Sequence, residues 1–477
     1  MKKKLLSILL ASAMILGLTA CGSKESTTTP SEATPSESAT TATDSPTASE
    51  TPAESSVACD VTPVPESAAS SDGTATSISF AWWGSEPRYE RMQKVLGLYS
   101  EQNPGISFEV NSLEWNNYWT QLAALSADNA LPDCLQMDYA YLEQYVNDGL
   151  LTDLTPYVES GLLDVSDVDP GILESGSVDG RLYAVCAGVN APALLYNRTL
   201  LDELSITIND NMTLDDFMNI CREVYKQTGI KTALPYGTSD SFLPFLLRAQ
   251  GINQPFNDHS LNIPDAKALL PGFRIYETGI EEGWLIGAEV YAELTSNTVE
   301  QSPMIFFSST DSQSWCAFHW SNQLEVMANA APDGMEIGIT TWPSNNIKLS
   351  NYLKPSQFFC VSKDAAENEE ETVKLINYLL NSVEANEILL DDRGVSPSSK
   401  VATAISPLLN ENSRIVTAYI NNVVTPNCSP INPPIPDGAN EVYDYYYQLI
   451  DQILLGISTS EEAAVRLFEQ GNEIMAK

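Results

Sequence analysis

The apolar positions that follow residue 77 change period twice, and the two periods together predict a parallel α/β unit. Three apolar residues alternate with small or polar ones, as in a strand with one buried face: Ile78, Phe80 and Trp82. The next four recur at helical spacing and are followed by a helix-ending Asn-Pro-Gly turn: Tyr89, Met92, Leu96 and Tyr99. Alternation then returns in a third group: Ile106, Phe108 and Val110. A strand, a helix and a strand at this spacing predict a βαβ unit with a right-handed crossover.

A second helix and a third strand extend the same pattern. The sequence predicts a helix at about 116–127 and a short apolar strand at 134–137. The segment 77–477 is too long for one hydrophobic core, because single cores stop growing at about 250–300 residues. We therefore expect an α/β protein with two lobes.

Ligand-binding side chains are expected at the carboxyl ends of the parallel strands, where open α/β sheets place their ligands. Trp83 follows the first strand beside Gly84, and Asp138 and Tyr139 follow the third strand. An aromatic ring offers a flat apolar face to a sugar ring, and a carboxylate accepts hydrogen bonds from hydroxyls. These residues predict a sugar site, and the alternative for each aromatic ring is a place in the core.

The N-terminus predicts export. Three lysines at 2–4 precede an apolar run at 5–19, which is shorter than the about 20 residues that a membrane-spanning helix needs. The small residues before Cys21 resemble a bacterial lipobox, in which the cysteine becomes the first mature residue and carries diacylglycerol and palmitate. We predict a signal peptide at 1–20 and lipidation of Cys21; the alternative is an ordinary secretory signal.

The segment 21–76 predicts a disordered tether after the lipidated cysteine. It consists mainly of Ser, Thr, Ala, Pro and Glu, with too few large apolar residues to offset the chain entropy lost on folding. A flexible chain of this length spans roughly 40 Å, which holds a folded domain near a membrane.

Charge excludes several partners. The chain has 24 Lys and Arg against 63 Asp and Glu, which gives a net charge of −39. Such a surface repels nucleic acid and anionic headgroups, so neither is expected as a partner.

The cysteines and histidines predict neither a metal site nor a disulfide framework. No two of the 8 cysteines stand at CxxC spacing, and the chain has 2 histidines. We expect most of the cysteines to be small buried residues, and we expect no cofactor.

An ordered series of segments resembles the extracellular solute-binding proteins of ABC importers, in particular the family that binds maltose and other oligosaccharides. No single motif is specific, but the matching segments follow one another in the family's order: 132–138, 145–156, 180–185, 195–198, 213–217, 318–322, 354–359, 372–381, 384–386, 393–397, 452–456 and 459–464. The segment 301–315 departs from the family's pattern.

The resemblance implies a two-lobe periplasmic-binding-protein fold of type II. Each lobe would hold a mainly parallel sheet flanked by helices, and the chain would cross the hinge three times. The first lobe would comprise 77–188 and 356–405, and the second 189–355 and 406–477.

Carried over by position, the resemblance also implies eight ligand-binding residues: Trp83, Asp138, Tyr139, Asp240, Trp320, Asn322, Arg393 and Tyr443. For Arg393 the alternative is a structural salt bridge. Trp342 is expected in the core.

The resemblance implies that the chain captures a carbohydrate, an oligosaccharide, between the lobes and delivers it to an ABC transporter permease. It implies a monomer without enzymatic activity. The lipobox and tether suit the outer face of the cytoplasmic membrane of a Gram-positive cell; a periplasmic location stays open. The alternatives are a non-sugar solute on the same fold, or a surface carbohydrate-active enzyme with two carboxylates about 5–9.5 Å apart.

Overall fold

The computed structural model describes residues 75–84, 86–237, 242–293, 299–436 and 438–477. The predicted signal peptide, the lipidation of Cys21 and the tether up to residue 74 lie outside the described residues, as does the candidate ligand residue Asp240.

Strands and helices alternate along most of the chain. The strands are β1 Thr76–Trp83, β2 Ile106–Leu113, β3 Cys134–Met137, β4 Ser177–Val178, β5 Arg181–Leu182, β6 Ala184–Asn190, β7 Pro192–Asn197, β8 Phe256–Asn257, β9 Ser260–Leu261, β10 Cys316–Trp320, β11 Ile337–Thr340 and β12 Lys354–Val361. The α-helices are α1 Glu86–Gln102, α2 Trp115–Ala127, α3 Tyr139–Asn147, α4 Thr155–Glu159, α5 Pro170–Ser175, α6 Arg198–Glu203, α7 Leu214–Thr228, α8 Phe242–Arg248, α9 Leu270–Glu281, α10 Ala288–Glu293, α11 Leu324–Ala330, α12 Ile347–Ser350, α13 Glu369–Asn381, α14 Val383–Leu389, α15 Ser399–Ile405, α16 Glu411–Tyr419, α17 Ala439–Leu454 and α18 Ser460–Met475.

The first sheet has the predicted βαβ unit at one edge. Its order is β2-β1-β3-β12-β6, and β1 pairs in parallel with both β2 and β3. Strand β12 runs antiparallel to β3 and to β6, so four strands share one direction and β12 is reversed. The alternating residues that predicted β1 are buried on its inner face, with Ile78, Phe80 and Trp82 at most 1% exposed.

The prediction of a mainly parallel sheet in the second lobe is wrong. Its three strands follow the order β10-β7-β11, and β7 pairs antiparallel with both neighbours. Parallel pairing occurs beside this sheet only as isolated bridges, Lys231 with Ser314 and Thr232 with Leu285, among the described residues. The physical reason is that β7 follows β6 after one residue, so no helical crossover precedes it and its partners return from distant parts of the chain.

Two apolar clusters form the cores. The first surrounds the first sheet and continues onto one face of the second sheet through Ala193, Leu195 and Ala317, and the second lies on the other face of that sheet. The chain leaves the first sheet between β6 and β7 and returns between β11 and β12. The third crossing lies between α15, which packs on α13 and α14 of the first lobe, and α16, which packs on α11 and β11 of the second lobe. The α/β two-lobe fold is therefore confirmed, while the exact lobe boundaries given above stay a prediction.

Buried thiols account for most of the cysteines in the described ranges. Cys428 is half-buried. The five buried free cysteines are Cys134, Cys186, Cys221, Cys316 and Cys360. Their burial confirms their prediction as small core residues. Within the described ranges, no helix combines the length and the apolar character that crossing a membrane would require.

Candidate functional site

The carboxyl edge of the first sheet gathers three of the candidate residues. Strands β1, β2 and β3 are parallel, so their carboxyl ends meet at one edge. Trp83 is the last residue of β1, and Asp138 and Tyr139 follow β3 directly. All three side chains are half-buried.

An aromatic cluster surrounds Trp83 at this edge, and we define it as Trp83, Trp115, Trp119 and Tyr141. The rings of Trp83 and Trp115 lie 5.0 Å apart between centroids, and those of Trp119 and Tyr141 lie 4.1 Å apart. Trp115 and Trp119 are one turn apart in α2, and Tyr141 comes from α3. Each of the four is half-buried, so the cluster presents ring surface at the edge instead of being absorbed into the core.

The backbone at Trp83 is held by two side chains. The carbonyl oxygen of Trp83 accepts hydrogen bonds from Arg88 Nη1 at 3.2 Å and from Gln136 Nε2 at 3.1 Å. Gly84 makes this possible, because its φ is +154° and a Cβ there would stand 2.4 Å from Arg88 Cδ. Any other residue would displace Arg88 from the end of β1.

Asp138 is the N-cap residue of α3 and keeps its carboxylate at the edge. Its Oδ1 accepts a hydrogen bond from the backbone N–H of Ala140 at 2.9 Å, which caps the helix. Burial raises the pKa of Asp138 above its ordinary value, and the Ala140 amide and the charge of Lys354 oppose that shift.

Contacts lead from Asp138 across to the end of β10 in the second sheet. Lys354, the first residue of β12, acts electrostatically on Asp138 and places its Nζ 4.3 Å from the centre of the Trp320 ring. Trp320 ends β10, and its ring meets that of Tyr352 edge-on at 6.1 Å.

A second path returns to the first sheet. The guanidinium of Arg248 stacks 4.8 Å from the centre of the Tyr352 ring, and its Nη1 donates to Asn432 Oδ1. The backbone oxygen of Asn432 accepts a hydrogen bond from the hydroxyl of Tyr139 at 3.1 Å. These paths close a circuit that we call the contact ring, with these members: Asp138, Tyr139, Arg248, Trp320, Tyr352, Lys354 and Asn432.

Arg248 is the buried anchor of the contact ring. It is 1% exposed, its Nε donates to the Ser350 oxygen at 3.0 Å, and its Nη2 donates to Ser429 Oγ at 2.6 Å and the Pro430 oxygen at 2.9 Å. Burial lowers its pKa to about 10, which still leaves it charged at neutral pH. One side chain therefore fixes the end of α12 and the segment 429–432 against α8.

Trp320 and Asn322 lie at the second sheet's side of the contact ring. The backbone N–H of Trp320 donates to Gln323 Oε1 at 2.9 Å, which fixes the turn after β10. Asn322 is exposed in that turn, two residues beyond Trp320.

His319, next to Trp320, should make the stability of the protein depend on pH, because it is buried beside the turn after β10. Burial lowers the pKa of His319 to about 4, and its hydrogen bond with Gln323 opposes the shift. In the unfolded chain a histidine titrates near 6.5, so between about pH 6.5 and 4 only the unfolded chain gains the proton. We expect the free energy of unfolding to be unaffected by this group above pH 6.5 and to fall by about 2 kcal/mol as the pH drops to 4.5.

Urea unfolding of the wild type and of His319→Gln at pH 7 and pH 4.5 measures this effect. The variant should lose less stability than the wild type over that interval. His259→Gln, at an exposed position of the β8–β9 turn, is the matched control and should retain the wild-type loss. Equal losses in the wild type and His319→Gln would contradict the assignment.

Two candidate residues lie elsewhere. Arg393 is buried at 5% exposure, donates from Nε to Gln136 Oε1 at 3.1 Å and pairs through Nη1 with Asp392 at 3.3 Å. Its surroundings are those of the structural salt bridge that was the alternative for this residue. Tyr443 is 5% exposed on α17 and packs edge-on against Phe256 at 5.5 Å, in an apolar part of the second lobe. Trp342 is 5% exposed, so its predicted place in the core is confirmed.

Sequence reasoning missed most of the aromatic cluster and the anchor of the contact ring. The available signal for Trp115 and Trp119 was their i, i+4 spacing at the start of α2, which puts both on one helix face. No local signal distinguished Arg248, because its partners Ser350 and Pro430 are 102 and 182 residues away in the chain.

Solved structures share this architecture. An extracellular solute-binding protein of family 1 from Alicyclobacillus acidocaldarius superposes with a TM-score of 0.75 at 20% identity, covering 85% of this chain and 100% of its own. A periplasmic oligogalacturonide-binding protein from Yersinia enterocolitica superposes with a TM-score of 0.68 at 19% identity, covering 84% and 99%. At these identities the likeness shows the fold.

Curated relatives match over shorter stretches. An uncharacterised ABC transporter extracellular-binding protein from Pyrococcus horikoshii is 25% identical over 160 residues, and an arabinooligosaccharide-binding protein from Halalkalibacterium halodurans is 28% identical over 86 residues. These matches cover 33% and 18% of this chain, and the chain spans 36% and 19% of the two relatives' lengths.

The family assignment comes from a longer match. Residues 97–415 match the family model described as bacterial extracellular solute-binding protein. This match covers well over half of the chain, and the protein therefore belongs to the bacterial extracellular solute-binding protein family.

Proposed function

We propose that the protein binds an oligosaccharide between its two sheets and delivers it to the permease of an ABC importer. The observation that carries this proposal is the contact ring, which joins the carboxyl edge of the first sheet to the end of β10. It sets a half-buried carboxylate, Asp138, within reach of the same lysine that covers the Trp320 ring.

The chemistry of this region suits a polyhydroxylated ligand. The aromatic cluster and Trp320 offer apolar ring faces, while Asp138 and Lys354 offer an acceptor and a donor for hydroxyl groups. A stacked ring contributes about 0.5–1.5 kcal/mol beyond its buried area, and micromolar binding needs about −8 kcal/mol. Several rings and hydrogen bonds must therefore act together, and the two sheets supply them jointly.

The ligand would couple to lobe closure through the contact ring. Contacts from Tyr139 to Asn432 and from Lys354 to Trp320 join elements of the first sheet's edge to elements of the second lobe. A ligand that adds contacts to both edges favours the closed form by its differential affinity, and the permease would distinguish the closed from the open form.

The relatives favour a sugar over another solute. One curated relative is named for arabinooligosaccharide and one solved structure for oligogalacturonide. The family is one of binding proteins, which favours capture without chemical conversion over the alternative of a carbohydrate-active enzyme.

Membrane attachment completes the proposal. Lipidation at Cys21 and the segment 21–76 would hold the binding domain, as a monomer, at the outer face of the cytoplasmic membrane of a Gram-positive cell. The lipobox resemblance and the tether composition support this location.

Intrinsic tryptophan fluorescence against a panel of mono- and oligosaccharides tests the binding proposal. We expect a saturable change with one class of oligosaccharide, and chromatography should recover that sugar unchanged. Trp284→Phe is the matched control, because Trp284 is fully buried in the second core and lies outside the contact ring. Conversion of the sugar would favour the enzyme, and a response only to peptides would favour a non-sugar solute.

Asp138→Asn separates binding from stability. The raised pKa of Asp138 means that its charge at neutral pH opposes folding, and this cost appears as the pH rises through the folded pKa. Asparagine retains the acceptor for the Ala140 N–H and removes the charge. We expect about 10-fold weaker sugar binding and a free energy of unfolding that is unchanged or up to about 1 kcal/mol higher.

Asp153→Asn is a control for which we expect the opposite effects on stability and binding. Slight burial would raise the pKa of Asp153, but its hydrogen bonds with Thr155 and the charge of Arg181 lower it overall, so this carboxylate stabilises the fold at neutral pH. We expect Asp153→Asn to lower the melting temperature and to leave sugar binding unchanged. Titration calorimetry and thermal unfolding measure both effects, and unchanged affinity in Asp138→Asn would remove Asp138 from the site.

A further inference from the structure

Two arginines share one carboxylate behind the carboxyl edge of the first sheet. Arg88 Nε lies 2.8 Å from Asp392 Oδ2, and Arg393 Nη1 lies 3.3 Å from the same oxygen. The side chains of Arg393, Arg88 and Asp392 are 5%, 16% and 16% exposed. The cluster is therefore largely removed from water.

Charge is not balanced within this cluster. Two guanidinium groups face one carboxylate, and their other side-chain partners are the neutral amides of Gln136 and Gln357. Burial, and then the like charge of Arg88, lower the pKa of Arg393 to about 9, while Asp392 raises it. The cluster thus holds one excess positive charge in a region of low exposure, which is costly unless an anion offsets it.

One donor of Arg393 has no partner. Its Nε bonds to Gln136 and its Nη1 to Asp392, whereas Nη2 is buried without a hydrogen-bond partner among the residues that the structure describes. Buried donors of charged groups are normally satisfied, because leaving one unmade costs its full desolvation.

A cavity adjoins the same side chain. It is small, with about 20 Å³ of accessible volume, enough for one water molecule or small ion, and lies between β6, β12, α13 and α14 with Arg393 in its wall. Apolar residues such as Phe359, Leu379 and Leu389 line it and Ser396 adds a hydroxyl, so that polar and apolar atoms contribute about equally to its surface. Asn386 also lines it, but its Nδ2 already donates to the Leu379 and Ser382 oxygens.

We propose that this cavity binds one small monovalent anion, such as chloride, against Arg393 Nη2. An anion both accepts the remaining hydrogen bond and offsets the excess charge, whereas a water molecule does only the former. The small volume and the partly apolar wall disfavour a strongly hydrated or multivalent anion. Because the protein's net charge is −39, any anion needs a compact site of local positive charge.

The bound anion would stabilise the sheet edge that carries Trp83 without touching the sugar. Arg393 bonds to Gln136, and Gln136 Nε2 donates to the Trp83 oxygen at 3.1 Å. An anion that neutralises the cluster would therefore stabilise the hydrogen bonds from Arg393 to Gln136 and from Gln136 to the Trp83 oxygen. The inference does not depend on the identity of the transported solute.

Thermal unfolding of the full chain at constant ionic strength tests the proposal. Sodium chloride or bromide is exchanged for sodium gluconate, whose anion is too large for the site. We expect a saturable rise in Tm of about 1–2 °C in the halides. The rise should vanish in Arg393→Met and persist in Arg181→Met, which breaks an exposed ion pair with Asp153.

If Arg393→Met does not fold, anomalous diffraction from wild-type crystals grown with bromide tests the proposal instead. An anomalous bromine peak within about 3.5 Å of Arg393 Nη2 is the expected result. Density for water without an anomalous signal at that position, or a Tm that responds equally to gluconate and halides, would overturn the proposal.

Discussion

Trp320→Ala is expected to weaken oligosaccharide binding about 10- to 100-fold, which is about 1.4–2.8 kcal/mol. Trp320 ends β10, its ring lies under Lys354 Nζ at 4.3 Å, and it meets Tyr352 edge-on. Alanine would remove the ring face on which a sugar can stack. It would also remove the ring that Lys354 covers, and Lys354 acts electrostatically on Asp138. Titration calorimetry with the sugar identified by the fluorescence panel measures the loss.

Two variants control for this result. Trp320→Phe retains a ring and should recover part of the affinity, while Trp284→Phe alters a buried tryptophan of the second core and should bind as the wild type does. In Trp320→Ala the free energy of unfolding should fall by less than the free energy of binding does, because the ring is only half-buried in the folded protein. Wild-type affinity in Trp320→Ala would place the ligand away from the contact ring.

Arg248→Met is expected to lower the free energy of unfolding by about 3–5 kcal/mol. The substitution removes the donors to the oxygens of Ser350, Ser429 and Pro430. The Ser350 oxygen belongs to a fully buried residue and would be left without this hydrogen bond, as would the partly buried oxygens of the other two. Methionine fills a similar volume, so the loss reports hydrogen bonding and not a cavity. Urea unfolding at pH 7 measures it.

Arg222→Met provides the matched control for Arg248. Arg222 pairs with Glu282 at the surface, where the two side chains are 40% and 39% exposed, and exposed ion pairs contribute about 0–1 kcal/mol. A loss below about 1 kcal/mol in Arg248→Met would show that Arg248 does not anchor the contact ring.

The first sheet was predictable because its signals are local. Strand β2 alternates apolar and polar residues from Ile106 to Asn111, and β1 alternates large apolar residues with small or polar ones from Ser77 to Trp82. Helix α1 between them ends at Gln102, where the Asn-Pro-Gly turn predicts it. The predicted helix at 116–127 likewise matches α2, Trp115–Ala127. Periodicity of this kind depends only on which face of an element is buried.

The second sheet was not predictable in the same way. Strand β7 pairs with β10 and β11, which come more than 100 residues later, and a strand's own sequence does not specify the direction of a partner so distant. Connection length alone would have indicated that β7 cannot follow β6 through a helical crossover.

The candidate site, too, could be predicted only where its signals are local. Trp83, Asp138 and Tyr139 were found because they follow predicted strands, whereas Tyr141 joins the aromatic cluster only through the packing of α3 against α2. Arg393 resembles a ligand-binding arginine in sequence, and only its contacts with Gln136 and Asp392 reveal a buried position. Burial of a long charged side chain depends on distant partners and leaves no periodic signal.

A crystal structure of the protein saturated with its best-binding oligosaccharide tests the central claim most directly. The account predicts the sugar between the aromatic cluster and Trp320, with a hydroxyl within hydrogen-bond distance of Asp138 and the glycosidic bonds intact. A sugar bound outside the contact ring, or a cleaved sugar within it, would contradict the account.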